Sequence, residues 1–106
     1  MESGISIIIP AYNEESSIEA TINELMSIFN NTKHEIIIVD DNSTDNTFKI
    51  MNRFENIKKI RNEINKGYGY SIKSGIENSQ FDSIAITDAD GTYPNHIIPE
   101  LYKLLI

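Results

Sequence analysis

Ile5-Ser6-Ile7-Ile8-Ile9-Pro10-Ala11-Tyr12-Asn13-Glu14 sets a short β-branched run against a proline and a polar tail. The run is short, mostly apolar and β-branched and predicts a buried parallel strand, although its length alone also allows a turn of helix. Pro10 lacks an N–H donor and is expected to close the ladder, with Ala11 to Glu14 as the loop. Ser16 and Glu19 then have capping-box spacing. Ile18, Ile22, Leu25 and Phe29 recur at i, i+4, i+7 and i+11, one face of an amphipathic helix that ends at Asn30-Asn31. A second apolar run, Glu35-Ile36-Ile37-Ile38-Val39, follows and ends in Asp40-Asp41. Strand, helix and strand joined by short loops make a βαβ unit.

The same alternation continues outward. Asn42-Ser43-Thr44-Asp45 is dense in N-cap residues and predicts a helix starting there, with either Phe48, Met51 and Phe54 or Ile50 and Phe54 as its apolar stripe. Ile57 to Ile60, flanked by Lys58, Lys59 and Arg61, predicts a weak edge strand. After a polar loop from Asn62 to Lys66, Gly67-Tyr68-Gly69-Tyr70 leads into a helix over Ser71–Ile76 with Ile72 and Ile76 inward. Ile84-Ala85-Ile86-Thr87 predicts a fourth buried strand, stopped by Gly91 and Pro94. Ile97, Ile98, Leu101, Leu104 and Leu105 are spaced for a last helix, with Pro99 in its first turn. The fold class is α/β: a βαβαβαβα parallel sheet with helices on both faces, forming a single domain over residues 1–106.

Composition sets the outer limits. With 106 residues, 40% apolar and 24% charged, the chain is one globular unit, large enough for a modest core. A net charge of −7 argues against a nucleic-acid partner, and it repels a phosphorylated ligand unless a cation intervenes. Cysteine is absent, which removes disulfides and thiolate metal sites. Met1-Glu2-Ser3-Gly4 is not signal-like and no apolar run has spanning length, so the expected location is cytoplasmic.

Chemistry concentrates where strands end. Residues i and i+2 of an extended chain share a face, so Asp88 and Asp90 project together and repel unless a cation such as Mg²⁺ or Mn²⁺ lies between them. A lone Asp-x-Asp is also a common solvated turn. Here, however, Tyr12-Asn13-Glu14 and Asp40-Asp41 lie at other carboxyl ends of the same parallel sheet, where ligands of such sheets bind. Other signatures are missing. There is no phosphate-binding G-x-x-x-x-G-K-[ST], Gly67-x-Gly69 lacks a third glycine, and no serine stands in a G-x-S-x-G elbow. His34 and His96 have no metal-ligand spacing.

Four segments in order resemble family 2 glycosyltransferases of the GT-A fold: Ile5–Glu14, Ile38–Asp45, Asn65–Gly69 and Asp88–Gly91. They lie nearest the dolichol- or polyprenyl-phosphate mannosyl- and glucosyltransferase branch. The resemblance implies the Rossmann-like N-terminal half of a GT-A fold, binding a nucleoside-diphosphate sugar for hexosyl transfer with inversion. On that resemblance Pro10, Ala11 and Tyr12 line the base and ribose pocket, Glu14 helps hold the nucleotide, and Asp41 accepts a hydrogen bond from the base. Lys66 and Gly67 approach the nucleotide and its phosphates, Asp88 faces ribose or metal, and Asp90 ligates Mg²⁺ or Mn²⁺ on the diphosphate. Where the branch often carries a glutamine ligand and a second proline, this chain has Thr92 and Asn95.

The acceptor-binding half, any catalytic base and any membrane association are expected beyond residue 106, with a polyprenyl phosphate at the membrane surface as one acceptor. An interrupted fold also leaves apolar surface for a second copy, hence a homo-oligomer. Two other readings stand beside this one. One is a catalytically silent module of the same fold. The other is a phosphoacceptor receiver domain, which Ile37–Asn42 also resembles and in which Asp88 would be phosphorylated.

Overall fold

The computed structural model describes residues 2–89. Asp90, Thr92, Asn95 and the helix expected over residues 97–105 lie outside the described residues. The elements alternate as β1 (Glu2–Ala11), α1 (Ile18–Ile28), β2 (His34–Asp40), α2 (Thr47–Met51), β3 (Lys58–Arg61), α3 (Tyr68–Glu77) and β4 (Phe81–Ile86). The four strands are all parallel, in the order β3-β2-β1-β4. The chain therefore builds outward from β1 through β2 to β3, then crosses back to place β4 on the other side of β1. Between β1 and β4 the winding reverses, and a parallel sheet opens a crevice at such a point.

Period-two alternation along β1 divides the core. Ile5, Ile7, Ile9 and Ala11 join Ile36 and Ile38 of β2 and pack under Ile18, Ile22, Leu25 and Phe29, the helical stripe read from the sequence. Met51 of α2 closes the same face. The other face carries Ile8, with Ile37 and Val39 in register beside it, and α3 lies across β1 and β2 there. Helices thus cover both faces.

Several local expectations differ from the structure. Pro10 does not end the ladder: it stands inside β1, opposite Val39. The Ile8 carbonyl accepts from Thr87 toward β4, and the Ala11 carbonyl accepts from Asp41 toward β2. By alternation the ring nitrogen of Pro10 faces the β4 side, past the last β1–β4 pair at Ile8–Ile86, where no donor is needed. The Ser16–Glu19 box gives way to an N-cap at Ser17, whose hydroxyl is used elsewhere.

Helix α3 buries Ser71 and Gly75 instead of Ile72 and Ile76, and Ile76 is exposed. The reason is proximity. A Cβ added at Gly75 would lie 2.5 Å from Cγ2 of Ile8, so only the smallest residues fit between helix and sheet. Strand β4 is the edge of the described sheet rather than a buried strand. Ile84 and Ile86 share the α3 face but lie beyond the helix, and both are exposed. Strand β3 is the opposite edge, as its lysines predict.

Candidate functional site

The carboxyl ends of β1, β2 and β4 converge on a cleft of about 500 Å³. Pro10, Ala11, Tyr12, Glu14, Asp41 and Asp88 line it, six of the residues singled out from the sequence. Asn65, Tyr68 and Ser71, to which the sequence assigned no individual role, complete the α3 side. A volume of this size suits a nucleotide-sized ligand. Tyr12 and Tyr68 are both about half exposed and offer aromatic surface to an incoming ring.

Two loops are stitched together to hold this rim. Asn13 and Asn42 sit in the left-handed region at φ 53° and 60°, a conformation that asparagine tolerates better than most side chains. The Asn13 N–H donates to Ser43 Oγ at 2.9 Å, and Asn13 Oδ1 accepts from the Thr44 N–H at 2.8 Å. The Glu14 N–H donates to Thr47 Oγ1 at 2.8 Å. The stretch Asn42–Asp45, read as a helix start, instead ties the second loop to the first, and α2 begins only at Thr47. Thr47→Val keeps the shape and removes both the acceptor for Glu14 and the hydroxyl's bond to Asp45 Oδ1. Unfolding in urea should show a loss of about 1–2 kcal/mol, and an unchanged midpoint would show that neither bond contributes.

Asp40 and Asp41 divide their work by direction. Asp40 is fully buried and accepts from the hydroxyl and the N–H of Ser43, with Arg61 Nε 3.3 Å away. The Arg61 guanidinium also lies over the Phe48 ring at 4.6 Å. Asp40 thus fixes the turn after β2. Asp41 points the other way, toward α3. Its Oδ1 accepts from Lys66 N–H at 2.7 Å and Asn62 Nδ2 at 2.9 Å, and its Oδ2 accepts from Gly67 N–H at 2.8 Å. The carboxylate therefore caps the start of α3, where Gly67 turns the chain at φ 95°. Burial alone would raise its pKa. The hydrogen bonds from Lys66, Asn62 and Gly67 outweigh that, and the carboxyl titrates below its ordinary value.

Lys66 and Gly67 consequently meet the site through their backbone, behind Asp41. The Lys66 ammonium lies 5.1 Å over the Tyr70 ring. Asp88 follows β4 and is held from both sides. Tyr68 Oη donates to its Oδ1 at 3.4 Å, and Ser17 at the N-cap of α1 and Thr21 within it both donate to the carbonyl of Ala89, at 2.8 and 3.1 Å. Among the described residues no three acidic or histidine side chains converge. The hard oxygen of Asp88, aimed into an acidic cleft, nevertheless suits a divalent ion that takes one or two carboxylates and draws its other ligands from phosphate. Asp90 lies outside the described residues.

Comparison with known proteins agrees with this architecture. The sequence model of the Glycosyl transferase family 2 matches residues 6–106. The chain is 36% identical to a UDP-N-acetylglucosamine–dolichyl-phosphate N-acetylglucosaminyltransferase of Methanococcus voltae, over 96% of this chain and 47% of that protein. It is 29% identical to a dolichol-phosphate mannosyltransferase of Pyrococcus furiosus, over 95% of this chain and 30% of that protein. Among solved structures, a mannosyltransferase from Pyrobaculum calidifontis in complex with GDP-Man and Mn²⁺ superposes with a TM-score of 0.79. It shares 21% identity, over 99% of this chain and 32% of that one, a likeness of fold. The chain thus spans less than half the length of each of these relatives. With a parallel β3-β2-β1-β4 sheet, a cleft at its switch point and a family match over nearly the whole length, the chain belongs to glycosyl transferase family 2.

Proposed function

We propose that this chain is the donor-binding part of a glycosyltransferase: it binds a nucleoside-diphosphate sugar, with Mg²⁺ or Mn²⁺, for transfer to an acceptor such as a polyprenyl phosphate. The observation that carries this is Asp41, a buried carboxylate held by three donors and still bordering the cleft, opposite Asp88. In this reading Pro10, Ala11 and Tyr12 form the wall for base and ribose, and Glu14 stands at the rim. Asp88, with Asp90, holds the cation. When bound, such a cation offsets the charge that the departing diphosphate gains as the anomeric C–O bond breaks.

The chain's own residues then act by placement. Ser17 and Thr21 fix the peptide after Asp88 and so fix where the diphosphate end of the ligand lies. Asp41 fixes the base end. An acceptor phosphate is already ionised and needs no base to attack the anomeric carbon, whereas a hydroxyl acceptor does. Because the chain spans less than half of these relatives, donor binding without turnover is the expected behaviour of the 106 residues.

Calorimetric titration with UDP- and GDP-sugars, with and without Mn²⁺, tests the reading. Binding of at least one donor, strengthened by Mn²⁺, is expected. Absence of binding to any nucleotide would favour a silent module of the same fold.

A further inference from the structure

We infer that the cleft selects a uracil-type base, with one ring N–H between two carbonyls, over guanine, so that the donor is a uridine or thymidine diphosphate sugar. This rests on the donor-binding reading above and concerns only which base the cleft accepts. The fold does not decide the matter, since the relatives and neighbours include both a UDP-sugar enzyme and a structure with GDP-Man. The hydrogen bonds around Asp41 do.

An ionised carboxylate accepts about four hydrogen bonds, two on each oxygen. On Asp41, Oδ1 is filled by Lys66 N–H and Asn62 Nδ2, and Oδ2 has already taken Gly67 N–H. One acceptor position is left, on Oδ2, for whatever enters the cleft. The Asn62 amide has one sensible orientation, because the same Nδ2 also donates to Ser71 Oγ at 3.1 Å and a flip would set its oxygen against the carboxylate. Asn62 itself is buried, and its N–H is taken by the Asp40 carbonyl. The filled state of Oδ1 is therefore built into the fold.

Uracil and thymine offer one donor, N3–H, flanked by two carbonyl acceptors. Guanine offers two adjacent donors, N1–H and the N2 amino group, and would need both oxygens of a carboxylate. Here its second donor meets an oxygen that is already full. Cytosine carries an acceptor at N3 where uracil has its N–H, and its donor, the N4 amino group, stands where uracil offers a carbonyl. The flanking carbonyls of uracil need a donor, and Ser71 is placed to give one. Its fully buried hydroxyl borders the cleft on the first turn of α3 and accepts from Asn62. Among the described hydrogen bonds it donates to none.

The test is a panel of UDP, dTDP, GDP and CDP titrated into the full chain under one Mn²⁺ concentration. The diphosphate and its metal are common to all four, so affinity ratios report the base alone. UDP and dTDP are expected to bind at least about tenfold more tightly than GDP or CDP. Ser71→Ala, a small change on a helix, is expected to weaken UDP and dTDP severalfold. GDP binding as tightly as UDP overturns the inference and leaves donor binding standing. An unchanged UDP affinity in Ser71→Ala removes Ser71 from it. If none of the four binds, the donor-binding reading itself falls.

Discussion

Gly75→Val is expected to destabilise the protein by about 3 kcal/mol or more and to weaken nucleotide binding along with it. The glycine sits in the middle of α3, where helix propensity alone favours almost any other residue. Replacing glycine with alanine at an exposed helix position gains about 1 kcal/mol. Packing reverses that sign here. The first added carbon would lie 2.5 Å from Cγ2, 3.2 Å from Cγ1 and 3.4 Å from Cβ of Ile8. Ile8 is fully buried and β-branched, held in the central strand between β2 and β4, so its side chain has nowhere to turn. The helix must lift instead.

Because the first turn of α3 carries Tyr68 and Ser71 to the cleft, lifting it opens the α3 wall of the site. Urea unfolding and a UDP titration should therefore both change. Gly75→Ala should lose less, since its propensity gain offsets part of the overlap. Pairing Gly75→Val with Ile8→Ala should cost less than the sum of the two single changes, because the void left by one receives the other. A valine variant as stable as the parent would show that α3 and β1 are not in the tight contact described.

The two residues of that contact also show where sequence reading succeeds and where it stops. The strands and α1 were legible because burial imposes a period on the chain: Ile18, Ile22, Leu25 and Phe29 are all fully buried where the spacing places them. Helix α3 was legible as a helix but its buried face was not, because a helix that packs through its smallest residues leaves no apolar stripe to read, and its isoleucines lie at the margin. Pro10 was misplaced for a related reason. Whether a missing N–H ends a strand depends on which neighbour it faces, and strand order is a tertiary fact. At the site, Tyr12, Asp41 and Asp88 announce themselves at strand exits. Asn62 and Ser71 do not, since their significance lies in a carboxylate that is 21 residues from one and 30 from the other. The expectation that Lys66 and Gly67 approach the ligand marks the middle ground: they gather at the site, but through their backbone on Asp41.

Asp41→Asn should be the most damaging single change at the cleft, although it alters no shape. A carboxylate accepts on both oxygens, whereas an amide must donate from one end. With the amide nitrogen at the Oδ2 position it faces the Gly67 N–H, and at Oδ1 it faces the Lys66 N–H. In either orientation a backbone donor at the start of α3 is left without an acceptor and a charge-assisted bond is lost. Together these cost about 2–4 kcal/mol of stability. Binding suffers separately: with the amide nitrogen at Oδ2 the ring N–H of the base loses its acceptor, and with it at Oδ1 the base keeps only a neutral one, so an affinity loss of about tenfold or more is expected.

The pH dependence identifies the cause. The folded pKa of Asp41 lies below its unfolded value, so its contribution is fully present above the ordinary carboxylate range and is lost as pH falls through the folded pKa. The stability gap between parent and variant should therefore be flat from about pH 8 to pH 5 and should narrow below about pH 4. Asp45 also titrates below its ordinary value: burial raises it, and bonds from Thr47 and Glu15 more than offset the rise. Asp45 is present in both proteins and cancels in the difference. A gap that persists undiminished into acid would mean that the asparagine disturbs packing rather than charge. A variant that keeps both stability and UDP affinity would remove Asp41 from the centre of the site.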